Sequence, residues 1–251
     1  MLREVEPGEI CELTGENRQY VISVLRMKKG DRLLLFDGRG CEYEAIITGH
    51  DHERVNLEII GRLVIHAIAV NITLAQSLPK AKKMDFIIEK ASELGANVIL
   101  PFVSERSILR LSPEKSKLKQ ARWQKIALEA ARKSHSAGIP EVRDILAFKK
   151  MLQSAGKDDI KIIFWEEETR TNLKLVLQKE ESVANRAFFL VVGPEGGFSS
   201  EEIELAQSLG FTSVSLGRQI LKVETAALAI LSIVQYERGI FGLVGKEGNN
   251  P

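Results

Sequence analysis

Three glycines, Gly193, Gly196 and Gly197, surround a proline and a carboxylate, Pro194 and Glu195, directly after the apolar run Phe188-Phe189-Leu190-Val191-Val192. Ser199-Ser200-Glu201-Glu202 then opens an amphipathic helix. A second junction of the same kind follows. Val214-Ser215-Leu216-Gly217 leads through Arg218, Ile220 and Leu221 into an apolar helix whose first turn carries Glu224 and Thr225. Glycine lets the main chain approach a ligand closely, and open α/β sheets bind ligands at the carboxyl ends of their strands. The two junctions predict one crevice built largely from backbone.

The chain contains no G-x-x-x-x-G-K-[ST] segment, and the loop reads G-P-E-G-G rather than G-x-G-x-x-G. Pro194 removes a backbone donor, and Glu195 would repel a phosphate at that helix start. A carboxylate beside glycine backbone suits a ligand with positive charge, ribose hydroxyls or an adenine edge. S-adenosylmethionine offers all three. The alternative is structural: the glycines make tight turns, Glu195 is a surface cap, and Glu224 with Thr225 caps free N–H groups.

The elements that must position these residues fall into two textures. Residues 1–70 read as β-rich: strands at 32–36, 42–47 and 54–60, a turn at Asp37 to Gly40, and one helix from about Asn17 to Arg26 predict a small barrel-like domain. From residue 71 strands alternate with helices. Strands are expected at 68–75, 98–100, 161–165, 188–192 and 213–216. Helices are expected at 80–94, 113–135, 172–178, 200–209 and 222–236. That alternation predicts an α/β domain with a parallel sheet over 71–245, followed by a frayed tail at 246–251.

Residues 71–135 carry 13 Lys and Arg against 6 Asp and Glu, a local charge of +7 within a chain of net +1. This marks a candidate polyanion surface, or two solvated Lys-rich helices. Lys80, Lys82, Lys83, Arg110, Lys115, Lys117 and Lys119, with Arg26 in the first domain, are the basic candidates, which the resemblance drawn below makes an RNA-backbone set. No apolar stretch reaches membrane-span length, and the acidic, Pro-Gly-broken start is unlike a signal peptide. Cys11 and Cys41 fit a reduced cytoplasmic protein, and His50, His52, His66 and His135 lack metal-ligand spacing, so no metal is expected.

The loop GPEGGFS with Glu201-Glu202, the segment LGRQILKVETAAL from Leu216 to Leu228, and the block from Gln76 to Ser107 resemble a known family. They are similar to the small-subunit 16S ribosomal RNA uridine-N3 methyltransferases of the SPOUT, or α/β-knot, superfamily. The resemblance covers essentially the whole chain. It implies an N-terminal PUA-like RNA-binding barrel and a C-terminal SPOUT α/β domain threaded into a deep trefoil knot. It also implies an obligate homodimer, S-adenosylmethionine in the knot loops, and 16S rRNA or the small ribosomal subunit as substrate. Gln19-Tyr20 stands where the family usually carries a His pair, and Lys222 where Arg is more common.

On this resemblance, backbone around Gly193, Pro194, Gly196, Gly197, Leu216, Gly217, Ile220 and Leu221 cradles the cofactor, with Thr225 nearby. Glu195 orients cofactor or target, and Glu224 is a candidate general base. Arg106, in the Ser104 to Ser107 loop, either stabilises charge on a uracil oxygen or makes a structural or phosphate contact. A ribose-2′-O methyltransferase of the same fold would share the cofactor loops. A non-catalytic RNA-binding protein would keep the basic patch without cofactor affinity.

Overall fold

The computed structural model describes residues 6–36, 41–64, 70–80, 83–107, 111–134, 136, 138–179 and 186–238. The chain divides into two compact units, Met1–Ala67 and Ile68–Pro251. The turn expected at Asp37 to Gly40 and the tail at 246–251 lie outside the described residues.

The first unit holds strand β1 (Ile10–Thr14), helix α1 (Gly15–Gln19), a π-helical turn (Tyr20–Val24), β2 (Arg32–Phe36), β3 (Cys41–His50) and β4 (Arg54–Val64). The strands pair antiparallel in the order β1-β4-β3-β2. Alternation buries Tyr43, Ala45 and Ile47 from β3 against Val55, Leu57 and Ile59 from β4. One continuous helix was the expectation over 17–26. The β-branched Val21, Ile22 and Val24 have weak α propensity, and there the helix widens into the π turn. Arg26 leaves it in the left-handed region at φ 55, fully on the surface.

The second unit runs through β5 (Ile72–Ser77), α2 (Lys83–Glu93), β6 (Val98–Val103), α3 (Pro113–Lys133), β7 (Glu141–Val142), β8 (Leu146–Ala147) and α4 (Phe148–Gln153). It continues through β9 (Ile160–Phe164), α5 (Leu173–Lys179), β10 (Phe188–Val192), α6 (Ser200–Ser208), β11 (Thr212–Val214) and α7 (Val223–Glu237). All strand pairs are parallel, in the order β11-β9-β10-β5-β6-β7, with β8 also beside β6. Every residue of β10 is buried, as a strand covered on both faces requires. Phe188, Leu190 and Val192 pack with α2, α3, α5 and α7 on one face. Phe189 and Val191 pack with α4 and α6 on the other.

The sixth strand extends past the expected Leu100 through Pro101, despite the missing N–H. Its outer neighbours reach only Val98 and Ile99 (β7) and Phe102 and Val103 (β8). Pro101 falls in the gap between them, where no ladder donor is needed.

Candidate active site

The carboxyl ends of β9, β10 and β11 open onto one cavity of about 320 Å³. Its walls include Gly193, Pro194, Glu195 and Gly197 after β10, Leu216 to Val223 after β11, Phe164 at the end of β9, and Trp165 and Glu166 after it; Lys83 from α2 adds a cation. Gly193, Pro194, Gly197, Leu216, Gly217, Ile220 and Leu221 thus meet at one place. Gly197 and Gly217 hold φ values of +67 and +115, conformations that L side chains rarely adopt. Gly196, Thr225, Arg106 and Glu224 do not line the cavity. A Cβ on Gly196 would sit 3.3 Å from Arg106 Cβ, so this glycine faces the Arg106 loop, and Thr225 is exposed.

The glycine loop is anchored at both ends. Phe198 is 2% exposed and packs with Phe102 and Phe148, ring centroids 6.4 and 5.6 Å away. Beyond it, Ser199 and Glu202 form a reciprocal capping box that starts α6. The same two side chains hold the loop after β6. The Glu105 N–H donates to Glu202 Oε1 at 2.9 Å, and Ser199 Oγ donates to Glu105 Oε2 at 2.8 Å. Arg106 Nη1 donates to the Gly196 carbonyl at 2.9 Å, which ties its guanidinium to the glycine loop.

Beneath this junction Ser77, Ser104 and Ser107 close a ring of three hydroxyls, each pair 2.9 Å apart, and Ser107 Oγ also accepts the Ser104 N–H at 3.0 Å. Ser77 and Ser104 are buried, so each hydroxyl depends on the others for its partners. Ser77→Ala should therefore cost about 1–3 kcal/mol. The midpoint of urea unfolding measures it, and an unchanged midpoint would show that the ring adds nothing.

The two glutamates singled out from sequence converge on one lysine. Lys83 Nζ lies 2.9 Å from Glu195 Oε1 and 3.4 Å from Glu224 Oε2. The Lys80 N–H also reaches Glu195, 3.1 Å from Oε1 and 3.3 Å from Oε2. Partial burial pushes the Glu195 carboxyl up, but the Lys83 hydrogen bond and backbone donors outweigh it and hold its pKa below the usual value. Its hydrogen bond to Glu195 raises the Lys83 pKa. Glu224 Oε2 is buried and, despite its ion-pair distance from Lys83, accepts no hydrogen bond.

Lys83 therefore belongs to the cavity wall. Lys80 is exposed beside it, and Lys115 and Lys117 are exposed on α3. Lys119 Nζ rests 5.5 Å from the Trp123 ring centroid. Lys82 and Arg110 lie outside the described residues, as do His66 and His135. Glu166 and Trp165 were not singled out from sequence; the signal was the acidic run Glu166-Glu167-Glu168 immediately past a strand at the same sheet edge.

A parallel sheet with glycine-turn walls and a β-rich companion unit defines a class that the comparisons confirm. Residues 66–235 match the RNA methyltransferase domain model, and residues 13–60 match the RNA methyltransferase PUA domain model. The chain is 30% identical to ribosomal RNA small subunit methyltransferase E of Bacillus subtilis, over 94% of this chain and 93% of that one. It is 33% identical to its namesake in Synechocystis, over 91% of this chain and 75% of that one. The crystal structure of a Neisseria gonorrhoeae ribosomal RNA small subunit methyltransferase E bound to S-adenosylmethionine superposes with a TM-score of 0.81. It shares 31% identity and covers 93% of this chain and 94% of that one. The chain belongs to the ribosomal RNA small subunit methyltransferase E family.

Proposed function

We propose that this chain uses S-adenosylmethionine to methylate N3 of a uridine in 16S rRNA of the small ribosomal subunit. The observation that carries the reading is the single cavity shared by the Gly193 to Gly197 and Leu216 to Val223 walls. Its residues fit the cofactor. Left-handed Gly217 leaves backbone open, Val192, Leu216 and Ile220 offer apolar surface to an adenine, and carboxylates face the cavity for hydroxyl or cationic groups. When bound, the cofactor supplies an electrophilic methyl group.

The uracil N3–H must lose its proton as the new N–C bond forms. The Lys83 ammonium stabilises charge gathering on a uracil carbonyl oxygen. Glu195, engaged by Lys83 and the Lys80 N–H, is ionised at neutral pH and positions that ammonium. Glu224, whose Oε2 lies 3.4 Å from Lys83 Nζ, is the group this reading assigns to receive the N3 proton. Arg106 holds the Gly196 carbonyl and so fixes the loop.

The proposal extends to the architecture. The first domain, 1–70, docks RNA, with Arg26 on its surface, and 71–245 carries the methyltransferase and threads a deep trefoil knot at these loops. The protein acts as a cytoplasmic homodimer. Exposed Ile233 and Tyr236 on α7 support a dimer face, and the mass in solution by light scattering tests it. Among the described residues no helix is long and apolar enough to cross a membrane, and no group of three His, Cys, Asp or Glu could hold a metal.

Calorimetric titration with S-adenosylmethionine separates this reading from a non-catalytic RNA-binding protein. Mapping the methylated atom by mass spectrometry separates it from ribose-2′-O transfer. Lys115 and Lys117, exposed on the first turns of α3, serve the RNA backbone. Replacing both by Ala should weaken RNA binding and reduce the slope of log affinity against log salt by about 1 to 2. An unchanged slope would place the RNA elsewhere.

A further inference from the structure

Two carboxylates line the cavity, and the protein answers only one of them. Glu195 and Glu224 share Lys83, whereas Glu166 lines the same cavity with no hydrogen-bond or ion-pair partner among the described residues. Its placement is not loose. The turn that carries it is pinned by Glu168, whose side chain accepts the N–H groups of Arg170 at 2.7 Å and Thr171 at 3.2 Å and the hydroxyl of Ser213. The hydrogen bond from Ser213, then that from the Arg170 backbone, keeps the Glu168 pKa low, so the pin stays charged near neutrality. Across the cavity Glu166 lies against the glycine loop: a Cβ built on Gly197 would overlap its carboxylate. The space a side chain would fill at this left-handed glycine is where Glu166 sits.

Position in the sheet indicates what that carboxylate receives. Parallel α/β folds that hold a nucleoside place a glycine-rich turn after one strand and a carboxylate after a neighbouring strand, where it accepts hydrogen bonds from ribose hydroxyls. Here the glycine turn follows β10, and Glu166 comes two residues after β9, the parallel neighbour of β10. An unpartnered carboxylate offers two oxygens, and a vicinal diol offers two O–H donors. We infer that Glu166 is a positioning residue that holds the ribose hydroxyls of the adenosyl cofactor. The inference rests on the proposed cofactor and adds the group recognised.

The test is calorimetry on the full chain and its Glu166→Gln variant with S-adenosylmethionine, S-adenosylhomocysteine, 5′-methylthioadenosine and the 2′,3′-dideoxy form of the last. Glu166 is exposed and supports no core contact, so the variant should unfold at the wild-type temperature. The three ligands with a diol should each bind about 10- to 100-fold more weakly to the variant, a charged hydrogen bond being lost each time. The dideoxy ligand should bind both proteins equally. Weakening that spares 5′-methylthioadenosine would put Glu166 at the amino-acid end of the cofactor and overturn the inference. Equal affinities for all four ligands would also overturn it. If the wild-type protein bound none of them, the cofactor reading itself would fail.

Discussion

Phe198→Ala is expected to destabilise the second unit by about 3–5 kcal/mol and to weaken S-adenosylmethionine binding at least tenfold. Phe198 is the one large apolar side chain of the glycine loop, and it is buried among Phe102, Phe148 and the α6 residues Ile203 and Ala206. Removing the ring opens a cavity between β6, α4 and α6, which supplies the stability loss. The binding loss has a different origin. A Cβ on Gly193 would lie 3.0 Å from the Phe198 ring, so the ring sets how the chain turns out of β10. Without it, Gly193 to Gly197 gains conformational freedom that a ligand must remove on binding. Phe198→Leu keeps much of the volume and should lose less of both quantities. Urea unfolding and calorimetry measure the two effects. Full donor affinity in the alanine variant would show that the loop holds its shape without this anchor.

Local chemistry made that loop readable in advance. An apolar strand with no polar position, a glycine at left-handed φ and a capping box all act within a few residues, so their meaning survives without tertiary knowledge. The same holds for α7, whose almost unbroken apolar character marked it for burial and which packs its Val223, Ala227, Ile230 and Val234 into the core. The strands β7 and β8 were not readable, since two residues each carry no periodicity and they exist only as partners of β6. Lys83 illustrates a second limit. In sequence it sits in a run of lysines that suggests RNA backbone, and only the packing of α2 on α7 brings it to Glu195 and Glu224. The hydroxyl ring of Ser77, Ser104 and Ser107 is invisible for the same reason: its members come from different strands' ends, and nothing in their types announces the pairing.

Glu195→Gln should lower kcat for methyl transfer by about 10- to 100-fold, raise KM for the donor by less, and leave the unfolding temperature within a few degrees of wild type. The amide keeps a carbonyl oxygen to accept the Lys80 N–H, so the loop retains its path. It loses the charge that holds the Lys83 ammonium at 2.9 Å. On the proposed mechanism, Lys83 is then left to Glu224 alone, which turns it from the uracil oxygen and engages the group assigned to receive the N3 proton. The pH dependence follows from the two shifts. The Glu195 pKa is lowered, so its contribution is complete above the ordinary carboxyl value of 4.5 and lost only as pH falls through the depressed one. The Lys83 pKa is raised, so its contribution is complete below 10.5 and lost only as pH rises through the elevated one. The wild-type pair is thus intact from pH 4.5 to 10.5. In Glu195→Gln the first support of the Lys83 charge is gone, and the alkaline limb should move to lower pH. Glu195→Asp retains the charge and should keep the wild-type limb at reduced kcat. Unchanged turnover and an unchanged profile in the glutamine variant would remove Glu195 from the mechanism and leave it as a structural tether of α2.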